Sequence, residues 1–376
     1  MNQYESGDRA GIDDSEYGED PMSQVSIVAP RLDTKPWGGR RLARFGLSLP
    51  DGPIGEALVT AGDAVVSRGF GTGQTLDAVV AANPIATCGA LGLQAVAQKP
   101  MFPLLVKLID ASENLSIQVH PDDMAARPLG KPGKTEAWQV LAADEGAGLY
   151  VGLQPDISFE EFQERASRMD GSSSAYLRFV PAIPGATMLI PAGTIHALGA
   201  GVIVYEIQQP SDVTYRLDDW GRVDALGHPR EMHQKEGFAV SRPDLVPTFI
   251  DAVALPSPAG TWELLTACRY FALARLTLAS KQEVSFGWPD SPAVATLLSG
   301  SLCVGGHTIA AGESAVVWPG VGALALSDGD VEALVSWVPN LNEDVIRPAI
   351  LAGVNPASIE ALAGDTGDIS TTRGAA

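Results

Sequence analysis

The chain has 376 residues, 45 of them acidic and 25 basic, for a formal net charge of −20. Nucleic acid and an anionic membrane both call for clustered Lys and Arg and are excluded as principal partners; a small phosphorylated ligand, needing only a few local cations, is not. The three cysteines, Cys88, Cys268 and Cys303, are too scattered for a zinc ribbon or dithiol motif and, with no apolar run near the ~20 residues that span a bilayer and no signal-peptide pattern, lead to the expectation of a cytoplasmic protein.

At this length two domains are expected. Residues 1–22 are acidic and lack apolar periodicity, as in Asp13-Asp-Ser-Glu-Tyr-Gly-Glu-Asp, and read as a disordered tail. Order is expected from Val25. Trp37, beside a Gly pair, can cover a pocket edge, and Glu56 places one carboxylate in an apolar strand-like run. Residues 74–84 read as a short helix capped by Thr75 and stopped by Pro84. Phe102 to Asp110 is a continuous apolar run with one cation, Lys107, and suits a strand buried on both faces.

In the next apolar run, Leu115-Ser-Ile-Gln-Val-His, residues Ser116, Gln118 and His120 share strand parity and look into one space. Asp122 and Asp123, after Pro121, read as braces of the following loop. Glu136 then opens another strand-like segment, with Lys134 two residues before it on the same face. Residues 148–153 read as a strand, and Ser158 with Glu161 as a capping box opening a helix. From Leu177 the segments are short, β-rich and punctuated by Gly and Pro, the grammar of a sandwich or barrel. A Pro/Ser-rich passage at 241–260 marks a connection. The expected units are thus 23–245, a metal-binding domain, and 246–340, a second β domain. Residues 341–376 follow as a helical extension ending in a frayed stretch from Gly364.

Gln118, His120 and Glu136 offer three potential metal ligands. Gly185 followed by Pro191-Ala-Gly-Thr-Ile-His196 supplies a fourth, and resembles the second signature motif of cupins, where the His faces the barrel interior. A comparable passage, Gly312 to Gly320, has no histidine after its Pro-Gly. The fold expected is mainly β: two cupin-type double-stranded β-helix (jelly-roll) domains with a few short helices. Amide, carboxylate and two imidazoles suit Zn²⁺, with Mn²⁺, Co²⁺ or Fe²⁺ as substitutes. His228, His233 and His307 read as surface residues.

Five segments carry a closer resemblance: 102–111, 115–123, 133–138, 191–197 and Glu206 to Arg222, the last reading Glu-Ile-Gln-Gln-Pro-Ser-Asp-Val-Thr-Tyr-Arg-Leu-Asp-Asp-Trp-Gly-Arg. Together they are similar to type I mannose-6-phosphate isomerases (phosphomannose isomerases) in their shorter bacterial form. The resemblance covers roughly residues 25–340 and is most specific over 100–235. It implies one zinc held by Gln118, His120, Glu136 and His196, and interconversion of mannose 6-phosphate and fructose 6-phosphate through a cis-enediol(ate). It also implies catalytic roles for Arg216, Glu206 and Lys134, and pocket positions for Ser116, Lys107 and Glu56. Glu56 and Lys107 are equally readable as an ion pair with one another, and Asp212, Asp218 and Asp219 as turn caps on solvated faces.

Leu58 stands where many relatives carry Trp, which keeps another sugar or sugar phosphate open as substrate. A non-catalytic, metal-retaining sugar-binding cupin is the alternative from another class. Redox cupins usually want three His and one Glu, and Gln118 takes one of those places. The expected partner is a small sugar phosphate, and the chain is expected to be a monomer or weak homo-oligomer.

Overall fold

A computed structural model of the protein describes residues 25–371 except 224, 225, 258 and 321. The acidic tail expected over 1–22 lies outside the described residues, as do 372–376. The described strands form three antiparallel sheets, of ten, seven and five strands.

The seven-stranded sheet is the middle layer. Its spatial order is Phe249–Ile250, Thr187–Ile190, Glu136–Ala143, Val202–Gln208, Leu105–Ala111, Arg31–Gly39 and Ile54–Thr60. One face, with Val106, Leu108, Ala137, Ile203 and Tyr205, packs into the core of the ten-stranded sheet. The other, with Ile109, Trp138, Val140 and Val204, packs against Leu149, Val151 and Leu198 of the five-stranded sheet. Burial on both faces explains why Phe102 to Asp110 and Val202–Gln208 lack apolar/polar alternation. The latter strand is buried at every position.

The five-stranded sheet runs Tyr215–Asp218, Ile117–Val119, His196–Leu198, Gly148–Leu153 and Leu177–Pro181. Apart from Arg31–Gly39 beside Ile54–Thr60 and Gly148–Leu153 beside Leu177–Pro181, neighbours in these two sheets are not consecutive in the chain, the crossing pattern of a jelly roll. The outer face of this sheet is closed by Phe162 and Ala166, from a helix opened by the expected Ser158–Glu161 capping box. Opposed to the seven-stranded sheet, it encloses the space where the polar residues collect.

Sheet membership crosses residue 245 in both directions. Val25–Val28 pairs with Ser314–Val317 and Val66–Gly69 in the ten-stranded sheet, while Phe249–Ile250 pairs with Thr187–Ile190 in the middle one. Thr75 caps Leu76–Ala82 as expected. Pro84 does more than stop that helix: it occupies the first turn of another, Pro84–Ala95, where its missing N–H costs nothing.

The C-terminal extension is helical, with α-helices Arg347–Leu351 and Pro356–Ala361. The expectation of fraying from Gly364 is corrected for residues 364–371. Asp368 pairs with Arg269, and Ile369 joins the main core. No single helix among the described residues is long and apolar enough to cross a membrane.

Candidate active site

Cross-strand pairing builds the site as facing rows. On the five-stranded sheet Arg216, Gln118 and His196 are Cα partners across three strands, so their side chains stand side by side. His120 follows one residue after the strand Ile117–Val119. On the opposite sheet Gln208 pairs with Glu136, and two residues along Lys107 pairs with Glu206 and Glu206 with Trp138. Leu58 is the partner of Lys107 on its other side.

His120, Glu136 and His196 are buried and offer ligand atoms within 4.8 Å of one another. Glu136 Oε2 lies 3.4 Å from His120 Nε2, and Oε1 lies 3.3 Å from His196 Nε2. The Gln118 amide nitrogen is 3.5 Å from the first imidazole Nε2 and 3.3 Å from the second. Ligand atoms about 2.0–2.1 Å from a tetrahedral zinc stand about 3.3–3.4 Å apart, and the two Glu136–imidazole contacts, one to each carboxylate oxygen, are of that size.

The protonation states fit as well. His120 Nδ1 is 2.9 Å from the Val213 carbonyl and His196 Nδ1 is 2.9 Å from the Thr194 carbonyl. Each Nδ1 donates there, which leaves the Nε2 lone pairs pointing inward. Burial, reinforced by the Lys134 charge, lowers the His120 pKa to about 3. Burial likewise lowers that of His196, against the opposing pull of Glu136. Both rings are therefore neutral, and their contacts with Glu136 are not ion pairs.

Among the described residues neither carboxylate oxygen of the buried Glu136 has a hydrogen-bond partner. Lys134 Nζ is only 2.8 Å from Oε2, a charge contact off the line of a hydrogen bond. Burial alone would raise the Glu136 pKa, but the Lys134 ammonium beside it holds it well below the usual carboxylate range. A full negative charge with orphaned lone pairs beside two neutral imidazoles is a donor set awaiting a cation. A 180° turn of the Gln118 amide would exchange Nε2 for Oε1 and bring an oxygen to the same two imidazoles. In the present rotamer Oε1 accepts from Ser116 Oγ at 3.2 Å, and the hydroxyl can accept as readily as donate.

Glu206 lies next to this centre. Its Oε1 is 3.1 Å from Lys107 Nζ, and its Oε2 accepts from Trp138 Nε1 at 3.0 Å. Lys107 also donates to Gln208 Oε1 at 3.2 Å. Burial works against the Lys107 ammonium, yet Glu206, then Glu56 and Glu136, push its pKa above the ordinary lysine value. The direct Glu56–Lys107 pair does not form: Lys107 goes to Glu206, and Lys35 takes Glu56 at 3.1 Å. Trp138 and Gln208 were not singled out from sequence, although their parity with Glu136 and Glu206 pointed to them.

Arg216 is half-buried, with one guanidinium nitrogen donating to the Glu231 carbonyl at 2.7 Å and Nε unpartnered. Burial and the nearby Arg230 charge lower its pKa. His233 is not a plain surface residue. Its backbone N–H donates to the Arg216 carbonyl at 2.9 Å, and its Nδ1 accepts from the Arg216 N–H at 3.4 Å. His228 is exposed, as expected.

Asp218 and Asp219 are both buried rather than on solvated faces. Asp218 does cap a turn, accepting from the Gly171 N–H at 2.9 Å and the Ser173 hydroxyl at 2.6 Å. Asp219 is clasped by Arg222 at 2.6 Å and Arg230 at 2.7 Å. Asp212 is exposed and pairs with Lys131.

A family model described as phosphomannose isomerase type I, catalytic domain, matches residues 27–137. The chain is 35% identical over 225 residues to a mannose-6-phosphate isomerase of Streptococcus mutans, covering 58% of this chain and 68% of that one. With a putative mannose-6-phosphate isomerase of Bacillus subtilis it shares 32% identity over 272 residues, 70% and 83% of the two chains. The chain belongs to the type I mannose-6-phosphate isomerase family.

The solved mannose 6-phosphate isomerase of Bacillus subtilis superimposes with a TM-score of 0.72 at 28% identity, over 83% of this chain and 99% of that one. A zinc-bound mannose 6-phosphate isomerase shares the fold, with a TM-score of 0.62 at 16% identity. The mainly β, cupin-type architecture read from the sequence is thus the architecture of the family.

Proposed function

We propose that this protein is a zinc-dependent aldose–ketose isomerase that interconverts mannose 6-phosphate and fructose 6-phosphate. The observation that carries the reading is the buried Glu136 carboxylate, orphaned between two neutral imidazoles in a chain of this family. The catalytic unit is assigned to 23–245 and a covering β unit to 246–340, with Val25–Val28 and Val66–Gly69 lent to the second and Phe249–Ile250 to the first; every site residue falls in the first.

Gln118, His120, Glu136 and His196 would hold the zinc. When bound, it supplies a Lewis-acidic centre that orients or polarises sugar oxygens. The remaining steps belong to side chains. Glu206, its two oxygens fixed by Lys107 and Trp138, moves the proton between C1 and C2. Arg216 and Lys134 present cations to the oxygen that becomes negative as the enediolate forms. Ser116, Lys107 and Glu56 line the sugar pocket.

The test is a coupled assay on zinc-loaded protein with mannose 6-phosphate. Formation of fructose 6-phosphate, lost on chelation and restored by zinc, is expected. Zinc-loaded protein without conversion would leave only a sugar-binding role.

A further inference from the structure

The loop from Pro121 to Thr135 joins two metal-ligand positions, His120 and Glu136, and includes Lys134. Its two ends are drawn together where the Lys134 N–H donates to the Pro121 carbonyl at 2.9 Å. Further ties run from Ser211 Oγ to the Pro132 carbonyl and from the Ala192 N–H to Thr135 Oγ1, and three bonds meet on one carboxylate. Asp123 Oδ1 accepts from the Gly133 N–H at 2.8 Å and from Gln209 Nε2 at 3.0 Å. Gln209 Oε1 in turn accepts from the Thr135 N–H at 2.9 Å, and the Gln209 N–H donates to the Thr135 carbonyl at 3.1 Å. Thr135 sits between Lys134 and Glu136.

Asp123 Oδ2 accepts from the Tyr270 hydroxyl at 2.7 Å. Tyr270 lies 147 residues away in the chain, just before the strand Ala272–Leu278 of the ten-stranded sheet. The contact borders an open cleft of about 860 Å³ that both residues line. Water could satisfy a phenol in that place, so burial alone does not demand the aspartate. What the aspartate adds is a fixed point for three donors from separate parts of the chain. The loop is also pinched here: a side-chain carbon on Gly133 would stand 2.6 Å from the Asp122 and Asp123 backbone.

We propose that Asp123, anchored by Tyr270, is a positioning residue that holds Lys134 and Glu136 in register with His120 through Gly133, Gln209 and Thr135. The carboxylate bonds to Gly133, Gln209 and Tyr270 and acts through the loop. This rests on the metal-site reading above. Partners that orient metal ligands cost about 10–100-fold in metal affinity or activity when removed, and Asp123 sits one bond network further out.

The experiment measures zinc affinity by competition with a chromophoric chelator, without substrate, alongside kcat, KM and Tm, for Asp123→Ala, Asp123→Asn and Tyr270→Phe. For Asp123→Ala we expect zinc binding weakened about 10-fold and kcat lowered about 10-fold, with KM within about 3-fold. Asp123→Asn keeps an oxygen for Gly133 and Gln209 and should recover most of both. Tyr270→Phe should weaken zinc about 3-fold. A fall in Tm with zinc affinity and kcat unchanged would overturn the proposal. If Asp123→Ala does not fold, Tyr270→Phe decides: wild-type affinity overturns it. Wild-type protein that binds zinc yet turns nothing over would defeat the isomerase reading, while the effect on zinc affinity would still test this one.

Discussion

Lys134 Nζ stands 2.8 Å from Glu136 Oε2, and the same ammonium is 2.9 Å from His120 Nε2. Lys134, at the end of the loop that leads into the strand opened by Glu136, thus places a positive charge against two of the expected zinc ligands. Lys134 and a divalent cation therefore compete for the same lone pairs. Removing the ammonium leaves Glu136 buried with no compensating charge, a loss of about 3–5 kcal/mol in the metal-free protein. Lys134→Met should accordingly lower the metal-free Tm and raise the stabilisation gained on adding zinc, while turnover falls sharply. Thermal melts with and without zinc check this; an equal zinc-induced shift in variant and wild type would contradict it.

Acid should destabilise the metal-free protein early. His120, neutral in the fold with its pKa lowered to about 3, becomes protonated in the unfolded chain below its ordinary pKa of about 6.5. His196 is lowered in the same sense. A depressed folded-state pKa contributes stability that is full above the unfolded value and lost as pH falls below it. Each such proton steepens the loss by up to about 1.4 kcal/mol per pH unit. Glu136, also depressed, adds to the loss below about pH 4.5. Urea midpoints of metal-free protein should fall steadily from about pH 6.5 downward, and the slope should flatten in His120→Gln/His196→Gln.

Glu206→Gln separates metal binding from chemistry. The amide keeps an oxygen for Lys107 or Trp138 but cannot accept the sugar proton, so zinc content should be unchanged while kcat falls about 10²–10⁴-fold. Zinc analysis and steady-state kinetics on the same preparation provide the check. A fall below 10-fold would move the base elsewhere.

Much of this site was legible in the sequence because strand parity is a strong local rule. Ser116, Gln118 and His120 on one face, and Lys134 with Glu136 on another, needed no long-range information. What stayed hidden depends on pairing between distant strands. The backbone carbonyls of Val213 and Thr194 that set the imidazole tautomers carry no side-chain signal. The sequence offered Glu56 as the partner of Lys107, but register places Glu206 opposite it. Asp219 looked like a turn residue: Arg222 lies just three residues on, while Arg230 reaches it only after the chain folds back. Val25–Val28 read as the start of the first unit, yet its hydrogen bonds go to Ser314–Val317.

Leu58 bears on substrate choice. It is buried and pairs across the sheet with Lys107, so its side chain borders the row holding Glu206. Leu58→Ala should change relative kcat/KM among sugar phosphates, chiefly through KM and by about 10-fold or less, since a few methylenes in an apolar wall discriminate weakly. Zinc affinity should not move. A substrate panel measures it, and an unchanged panel would make Leu58 a packing residue.

The most direct test of the account is isomerisation of mannose 6-phosphate by zinc-loaded protein in D₂O, followed by NMR. Proton transfer through an enediolate predicts deuterium at C1 of fructose 6-phosphate and C2 of mannose 6-phosphate, abolished by chelation and by Glu206→Gln. Conversion with no solvent deuterium at either carbon, or equal conversion by the chelated protein, would contradict it.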